Sequence, residues 1–301
     1  MAGVLGGIIG SIQGVPAFTA TGGTITTSGA YTIHTFTSNG NFTVSAGTKT
    51  VEALVVGGGA GAQGSSSGSR RGGGSGGGGS VTTTSWTAVV ATYAAVVGGG
   101  GGISAASAGT ASSINGTSAS GGAVADGTNY TPAELLAASH RSGSSGNSNL
   151  GGLSDAKSLI NYYYEEKVEA YVAQTGAFVF AYGGGGGSGG AGSAGQNNST
   201  NSAGGGNSYT AAPIGGDGGV GTSNSYSGTS VEYGRGGGGG KIHIYFAGAS
   251  VISSDGSSVP TGAGLTNRGY GGQGSEYTLT GGGTDTPFAG GSGIVIVRYL
   301  T

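Results

Sequence analysis

The glycines of this chain come in blocks, and that arrangement constrains the fold more than any other feature. Of the 301 residues, 76 are glycine. Consecutive glycines recur at 57–59, 72–74, 76–79, 98–102, 183–187, 204–206, 236–240 and 281–283. Collagen needs glycine at every third position with abundant proline. This chain has consecutive glycines and only five prolines, so a collagen helix is excluded.

Composition favours an ordered chain and excludes several classes of function. Disordered segments combine low hydrophobicity with high net charge, whereas this chain has a net charge of −2 and contains 15 Tyr and 7 Phe. The absence of cysteine excludes a disulfide framework and any thiolate metal site. Only ten residues are Lys or Arg, which argues against a nucleic-acid partner.

The runs between the glycine blocks are typical of β-strands. Period-two alternation in 31–37, a turn signal at 38–41 and renewed alternation at 42–44 together predict a hairpin. Residues 50–56 and 293–299 are almost entirely apolar and each borders a glycine block, so they are predicted to be neighbouring strands. Further β-prone runs are 82–97, read as two strands or one bent strand, a hairpin at 168–182, and 241–246. Short helices are predicted at 134–140 and 154–166.

Glycine in blocks has a physical explanation if the runs pack together. Each ordered glycine costs up to about 1 kcal/mol more than alanine, so a run must recover stability from backbone hydrogen bonds. A three-residue-per-turn extended helix points its N–H and C=O groups outward in three directions, and glycine lets neighbouring helices approach. Flexible linkers are the alternative. The predicted fold is mainly β: a small β-sandwich with packed polyglycine II-type runs and irregular loops, with helix in less than a fifth of the chain.

Three phrases carry a resemblance to a known family: residues 31–44, residues 51–59 and the closing residues 290–299. In these phrases the chain resembles the glycine-rich tail-fibre and adhesin proteins of bacteriophages, over 22–301. The resemblance implies stacked polyglycine II helices whose connecting loops carry receptor specificity. It also implies a non-enzymatic virion tail protein, assembled in the host cytoplasm, that binds a surface glycan or an outer-membrane protein. The alternatives are a purely structural virion or filament subunit and an ice-binding protein.

The chain divides into an arm and a domain. Residues 1–18 contain eight Val, Leu, Ile, Phe or Met residues and no charge, which would be an aggregation liability if exposed. An arm at 1–23 is therefore predicted to dock on other virion subunits, and 24–301 is predicted to be the glycine-rich β domain of an oligomer, such as a trimer. The glycine-poor part of that domain, 123–182, is a candidate inserted subdomain. A signal peptide is the alternative for the arm, but it needs a basic n-region, and the first basic residue is Lys49.

No catalytic, cofactor or metal site is predicted. The best nucleotide-loop candidate, ending at Lys241, has Arg235 where the motif requires glycine. The three histidines, His34, His140 and His243, lack acidic companions at metal-ligand spacing.

Aromatic residues in the glycine-rich loops are the remaining candidates for binding. The combination of Tyr with Ser, Asn and Gly suits adaptable recognition. The alternative is that these rings cap the glycine layers. Receptor-facing loops are predicted at 196–233 and 253–288, opposite the arm. The candidate receptor-binding residues are Tyr209, Tyr226, Tyr233 and Tyr270.

Overall fold

The computed structural model describes residues 16–62, 75–103, 107–124, 177–181, 185–190, 192, 217–239, 241–245, 263–274, 276–278 and 288–301. Within these residues the secondary structure is entirely β, with no helix. The strands are β1 (Thr19–Thr21), β2 (Thr24–Ser28), β3 (Tyr31–Phe36), β4 (Gly40–Ala46), β5 (Lys49–Val56), β6 (Val81–Ala88), β7 (Ala91–Val96), β8 (Ser112–Ile114), β9 (Thr117–Ala119), β10 (Ala177–Ala181), β11 (Thr222–Asn224), β12 (Val231–Tyr233), β13 (Lys241–Tyr245), β14 (Glu276–Thr278) and β15 (Ile294–Leu300).

Two antiparallel sheets form a sandwich. Sheet A has five strands in the order β1-β4-β7-β8-β9, and sheet B has five in the order β2-β3-β15-β5-β6. The core between them contains Phe42 and Val44 from sheet A and Val51, Val55 and Val295 from sheet B. All five side chains are at most 2% exposed. Fully burying an apolar side chain of this size contributes roughly 1.5–3 kcal/mol, so this layer is a principal source of the sandwich's stability.

Strands β5 and β15 of sheet B are buried on both faces over most of their length, which explains why they are apolar without alternation. On the face away from sheet A, Leu54 and Ile296 pack in a second cluster with Tyr233. Tyr233 belongs to the two-stranded β11–β12 hairpin, which covers this face. A strand covered on both sides is expected to be a continuous apolar run, and β5 and β15 are such strands.

The predicted fold class, mainly β with a sandwich, is confirmed. The predicted pairing of the two apolar runs is also confirmed, since β15 pairs antiparallel with β5 from Ile294 opposite Val56 to Arg298 opposite Glu52. The run at 82–97 forms two strands, β6 and β7, which lie in different sheets.

The predicted hairpin across 31–44 is wrong. Its two strands, β3 and β4, lie in different sheets. Phe36 and Phe42 both face the core between the sheets, so the chain between them crosses from one layer to the other instead of reversing within one. The side chain of Asn39 helps to fix this crossing by accepting a hydrogen bond from the N–H of Val97 at 2.8 Å.

The strands give the sandwich two distinct ends. At one end β5 finishes at Val56 and the chain continues into the glycines that begin at 57. The first residues of β6 and β15, Val81 and Ile294, both lie opposite Val56 at this end. At the other end the described chain enters at residue 16, where Thr19 lies opposite Ala46. We call these the glycine end and the entry end. β1 lies in the part of the sequence assigned to the arm, so the described sandwich begins before residue 24.

Several predictions fall outside the described residues. They are the helices at 134–140 and 154–166, the first strand of the hairpin at 168–182, the candidate subdomain over most of its length, and arm residues 1–15. The second strand of that hairpin is β10, which pairs antiparallel with β13. β13 in turn pairs in parallel with β14.

Candidate functional site

The described segments that lie between strands and pack side by side form what we call the glycine bundle: 57–62, 75–80, 98–103, 107–111, 120–124, 185–190, 217–221, 234–239, 263–274 and 288–293. Residues 57–62 lie at its centre, and all of them are buried. Their N–H groups donate hydrogen bonds to three neighbouring segments in turn. N–H groups three residues apart donate to the same segment. The acceptors are, in chain order, the carbonyls of Ser80, Thr110, Gly291, Gly77, Ser107 and Phe288, at 2.8–3.0 Å.

A period of three is the pattern expected of a polyglycine II-type helix. Three further segments donate into the central one. The pairs are Gly122 with the carbonyl of Gly58 at 2.8 Å, Gly101 with that of Gly59 at 2.8 Å, and Gly272 with that of Ala60 at 2.9 Å. Three acceptor segments and three donor segments therefore surround residues 57–62. This six-neighbour arrangement satisfies backbone groups that would otherwise be buried without partners.

Close backbone approach explains why these positions are glycine. A Cβ added at Gly58, Gly59 or Gly76 would lie under 3.0 Å from a carbonyl of the adjoining segment, a distance that real Cβ atoms essentially never show. The surface of the bundle differs. A Cβ at Gly99 would meet nothing nearer than the Thr110 hydroxyl at 3.9 Å, and one at Gly102 nothing nearer than the Ser107 hydroxyl at 3.6 Å. Packing thus requires glycine at the first three positions but not at Gly99 or Gly102.

Serine hydroxyls join the bundle to the sandwich. Ser112, at the start of β8, is fully buried. Its Oγ donates to the carbonyl of Val56 at 2.6 Å and accepts from the N–H of Gly98 at 2.9 Å. The hydroxyls of Ser80 and Ser120 lie 2.7 Å apart at the same boundary. These bonds fix the first residues of several glycine segments relative to the strands that precede or follow them.

Two of the candidate tyrosines lie in the interior. Tyr233 is 2% exposed and Tyr270 is 7% exposed. The Tyr270 hydroxyl donates to Oε2 of Glu232 at 3.2 Å, and Nη1 of Arg235 lies 3.3 Å from the same oxygen. The guanidinium of Arg268 lies 5.5 Å from the centroid of the Tyr233 ring. Both rings are therefore covered in this structure, as expected of the layer-capping alternative.

The Glu232 carboxylate controls the electrostatics of this cluster. Burial raises the pKa of Glu232, but a hydrogen bond from the N–H of Gly221 and the nearby Arg235 guanidinium outweigh it, so the pKa lies below its usual value. Burial, together with the charge and hydrogen bond of Glu232, raises the pKa of Tyr270 to about 12. The tyrosine is thus a neutral donor to a charged carboxylate at physiological pH. Such charge-assisted hydrogen bonds are stronger than neutral ones.

Tyr226 packs in a different cluster, on the outer face of sheet B. The Arg298 guanidinium lies between two rings, 3.7 Å from the centroid of Tyr226 and 4.3 Å from that of Tyr31. Its Nε donates to Oε2 of Glu52 at 2.7 Å. Tyr226 remains partly exposed. The arrangement fastens the β11–β12 hairpin to the sheet beneath it.

Sequence reasoning missed Arg298 and Glu52, although a signal was present. Each is the one charged residue in the apolar stretch of its strand, at 294–300 and 51–56. Once those strands are paired, the register places the two charges directly opposite each other. A pair of isolated opposite charges in two strands predicted to be neighbours could therefore have identified the contact.

The position of the 225–230 turn corrects one prediction. Loops in 196–233 were predicted to lie opposite the arm, but this turn reaches the entry end, where Gly228 lies against Ser28 and near Ile33. The physical reason is that the hairpin has to lie back along sheet B to cover its apolar outer face. Residues 263–274 belong to the glycine bundle at the other end. Tyr209 lies outside the described residues.

His34 is fully buried between the sheets. Its Nδ1 lies 2.8 Å from the carbonyl of Gly22 and its Nε2 lies 3.4 Å from the hydroxyl of Tyr299. Both nitrogens thus have partners, as expected of a histidine in a structural role. Within the described residues no group of three or more His, Asp or Glu side chains is arranged to hold a metal ion. In the same part of the chain, no helix has the length and apolar character needed to span a membrane.

These features define a class of protein: a β-sandwich that carries a close-packed bundle of glycine segments at one end. The chain belongs to the glycine-rich domain family, whose sequence profile matches residues 35–300. The match covers both sheets except β1, β2 and the first four residues of β3, and it spans the whole described bundle. No curated protein matches the chain.

Proposed function

We propose that the chain is a non-enzymatic bacteriophage virion protein, a tail fibre or adhesin that contacts the host surface through loops at the tip of the glycine bundle. The observation that carries this proposal is the polarity of the molecule. Residues 1–15 join the sandwich at the entry end, whereas the bundle projects from the glycine end. A fibre or adhesin needs one end for attachment to the particle and another for contact with the host.

The glycine bundle is a close-packed scaffold at the end of the sandwich away from the entry end. The chain leaves the described bundle at Ala62 and re-enters at Ser75, and both residues are buried. Segments 63–74 and 193–216 connect parts of the bundle, and the second contains Tyr209 together with several Asn and Ser. Functional contacts are commonly made by loops on a rigid scaffold. Tyr209 is therefore the preferred receptor-binding candidate, ahead of the buried Tyr233 and Tyr270.

Binding to bacterial cells tests the proposal. Fluorescently labelled full chain would be applied to a panel of Gram-negative strains, and bound fluorescence would be measured by flow cytometry. We expect saturable binding to a subset of strains and loss of binding in a Tyr209→Ala variant. A Tyr226→Ala variant is the matched control, because its ring stacks on Arg298 at the entry end. Binding to no strain, or equal loss in both variants, would contradict the proposal.

A purely structural virion or filament subunit is the second candidate, in which the packing of the glycine bundle serves assembly alone. Growth of the purified chain into fibres without any cell binding would support that candidate. Thermal hysteresis of the purified chain, again without cell binding, would instead support ice binding.

A further inference from the structure

Two of the four outer edges of the sandwich are protected, and a third, β6, lies against β9 of the other sheet. β1 and β9 are only three residues long, and β1 has a register shift between Thr19 and Ala20. β6 lies on the same side of the sandwich as β9. The backbone N–H of Ser80, the residue before β6, donates to the carbonyl of Ser120, the residue after β9, at 2.9 Å. Short edges, bulges and covered edges are the devices by which proteins prevent further strand pairing.

The fourth edge, β2, has none of these protections. It is a five-residue strand, Thr24-Ile25-Thr26-Thr27-Ser28, in regular register with β3. Residues 24–27 are all exposed, and Ile25 is 49% exposed. It contains no charge and no proline, the residues that usually block edge pairing. The 225–230 turn lies against the sheet face near Ser28 and leaves residues 24–27 exposed.

We propose that β2 pairs antiparallel with β2 of a second copy of this chain, about a twofold axis, so that two copies of sheet B become one continuous sheet. The backbone N–H and C=O groups on the outer edge of β2 would then pair with their equivalents. With Thr26 opposite its twin, Ile25 lies opposite Thr27, and the two Ile25 side chains become diagonal neighbours within reach of each other. This pairing would cover apolar surface that is half exposed in the single chain.

A second copy fits this edge because its charge is compatible with self-pairing. Residues 1–48 contain no Asp, Glu, Lys or Arg, so two copies of this region meet without repulsion between like charges. Directly opposed threonines are favourable cross-strand pairs. A twofold axis also makes the contact self-complementary, since each residue meets the same segment of its partner.

A single introduced cysteine gives a direct test, because the chain contains no cysteine of its own. A Thr26→Cys variant, mildly oxidised, should form a covalent dimer on a non-reducing gel. Thr83→Cys is the matched control, since Thr83 is also exposed and lies on the edge strand β6. Thr83→Cys should remain monomeric on the gel. Equal cross-linking of both variants, or of neither, would overturn the proposal.

Introducing a charge at residue 26 gives a second, independent test, in which analytical ultracentrifugation measures the mass of the full chain in solution. The wild type should sediment as a dimer. Thr26→Lys and Thr26→Glu should each weaken dimerisation at least tenfold, and an equimolar mixture should restore the dimer mass. Unchanged unfolding temperatures would show that the variants are folded. A monomeric or trimeric wild type, or two variants that still dimerise separately, would contradict pairing through β2.

Discussion

Replacing Gly59 by alanine should strongly destabilise the protein, because the glycine bundle depends on close backbone approach. The added Cβ would lie well inside 3.0 Å of the Tyr270 carbonyl, whereas ordinary contact begins at 3.4 Å. The two segments must then separate by roughly an ångström, as overpacked interiors do. Such a shift lengthens the bond from Gly272 to the Ala60 carbonyl, which measures 2.9 Å, beyond hydrogen-bonding distance.

The size of the effect follows from the bonds at risk. Segment 269–272 is also bonded to Gly76 and to Gly291, so at least two buried bonds are stretched. Each buried group left unpaired costs about 1–3 kcal/mol. Alanine recovers about 0.4–1 kcal/mol by restricting the unfolded chain. The expected loss in the free energy of unfolding is about 2–4 kcal/mol, measured by urea denaturation.

Gly99→Ala is the matched control for this experiment. Gly99 lies at the bundle surface, where an added Cβ has room. The variant should change the free energy of unfolding by no more than about 1 kcal/mol, in the stabilising direction. If Gly59→Ala and Gly99→Ala unfold with the same free energy, the argument from close backbone packing is refuted.

Three further predictions concern side chains of the sandwich and hairpin. Burial lowers the pKa of His34, so the unfolded chain binds a proton that the native chain does not. The free energy of unfolding should therefore fall as the pH drops below about 6.5, and a His34→Gln variant should show a flatter dependence between pH 7 and 5. Arg298→Lys should cost about 1–2 kcal/mol in urea denaturation, because lysine stacks less well between Tyr31 and Tyr226 and cannot replace the planar guanidinium. Equal losses in Arg298→Lys and the control Arg268→Lys would contradict this. Tyr270→Phe should cost about 1 kcal/mol through loss of its bond to Glu232, and an unchanged urea midpoint would refute that role.

The sequence was sufficient to predict strands and some of their partners. Apolar runs bordered by glycine identified β5 and β15, and their shared apolar character correctly indicated that they are neighbours. The layer assignment of β3 and β4 was not predictable from local pattern. A turn signal at 38–41 is equally compatible with a hairpin and with a crossing between sheets. The difference is decided by where Phe36 and Phe42 find a common core.

The glycine packing was predictable in type but not in detail. The three-residue period follows from the properties of an extended glycine helix. Which segment lies beside which depends on contacts far apart in sequence, such as Gly59 with Gly291. The candidate tyrosines could be named from their surroundings in sequence, but their burial could not. Tyr233 is covered because the hairpin closes over sheet B, an arrangement that no local pattern encodes.

Hydrogen exchange of the amides in 57–62 tests most directly whether the glycine segments form a close-packed, hydrogen-bonded bundle. Each of these amides donates to a backbone carbonyl, so their protection should approach that of the central strands β5 and β15. The amide of Gly100 is an internal control, since it is exposed and donates to no residue in the described part of the chain. Strong protection of 57–62 with rapid exchange at Gly100 is the predicted result. Exchange of 57–62 at the rate of an unprotected linker would contradict the account.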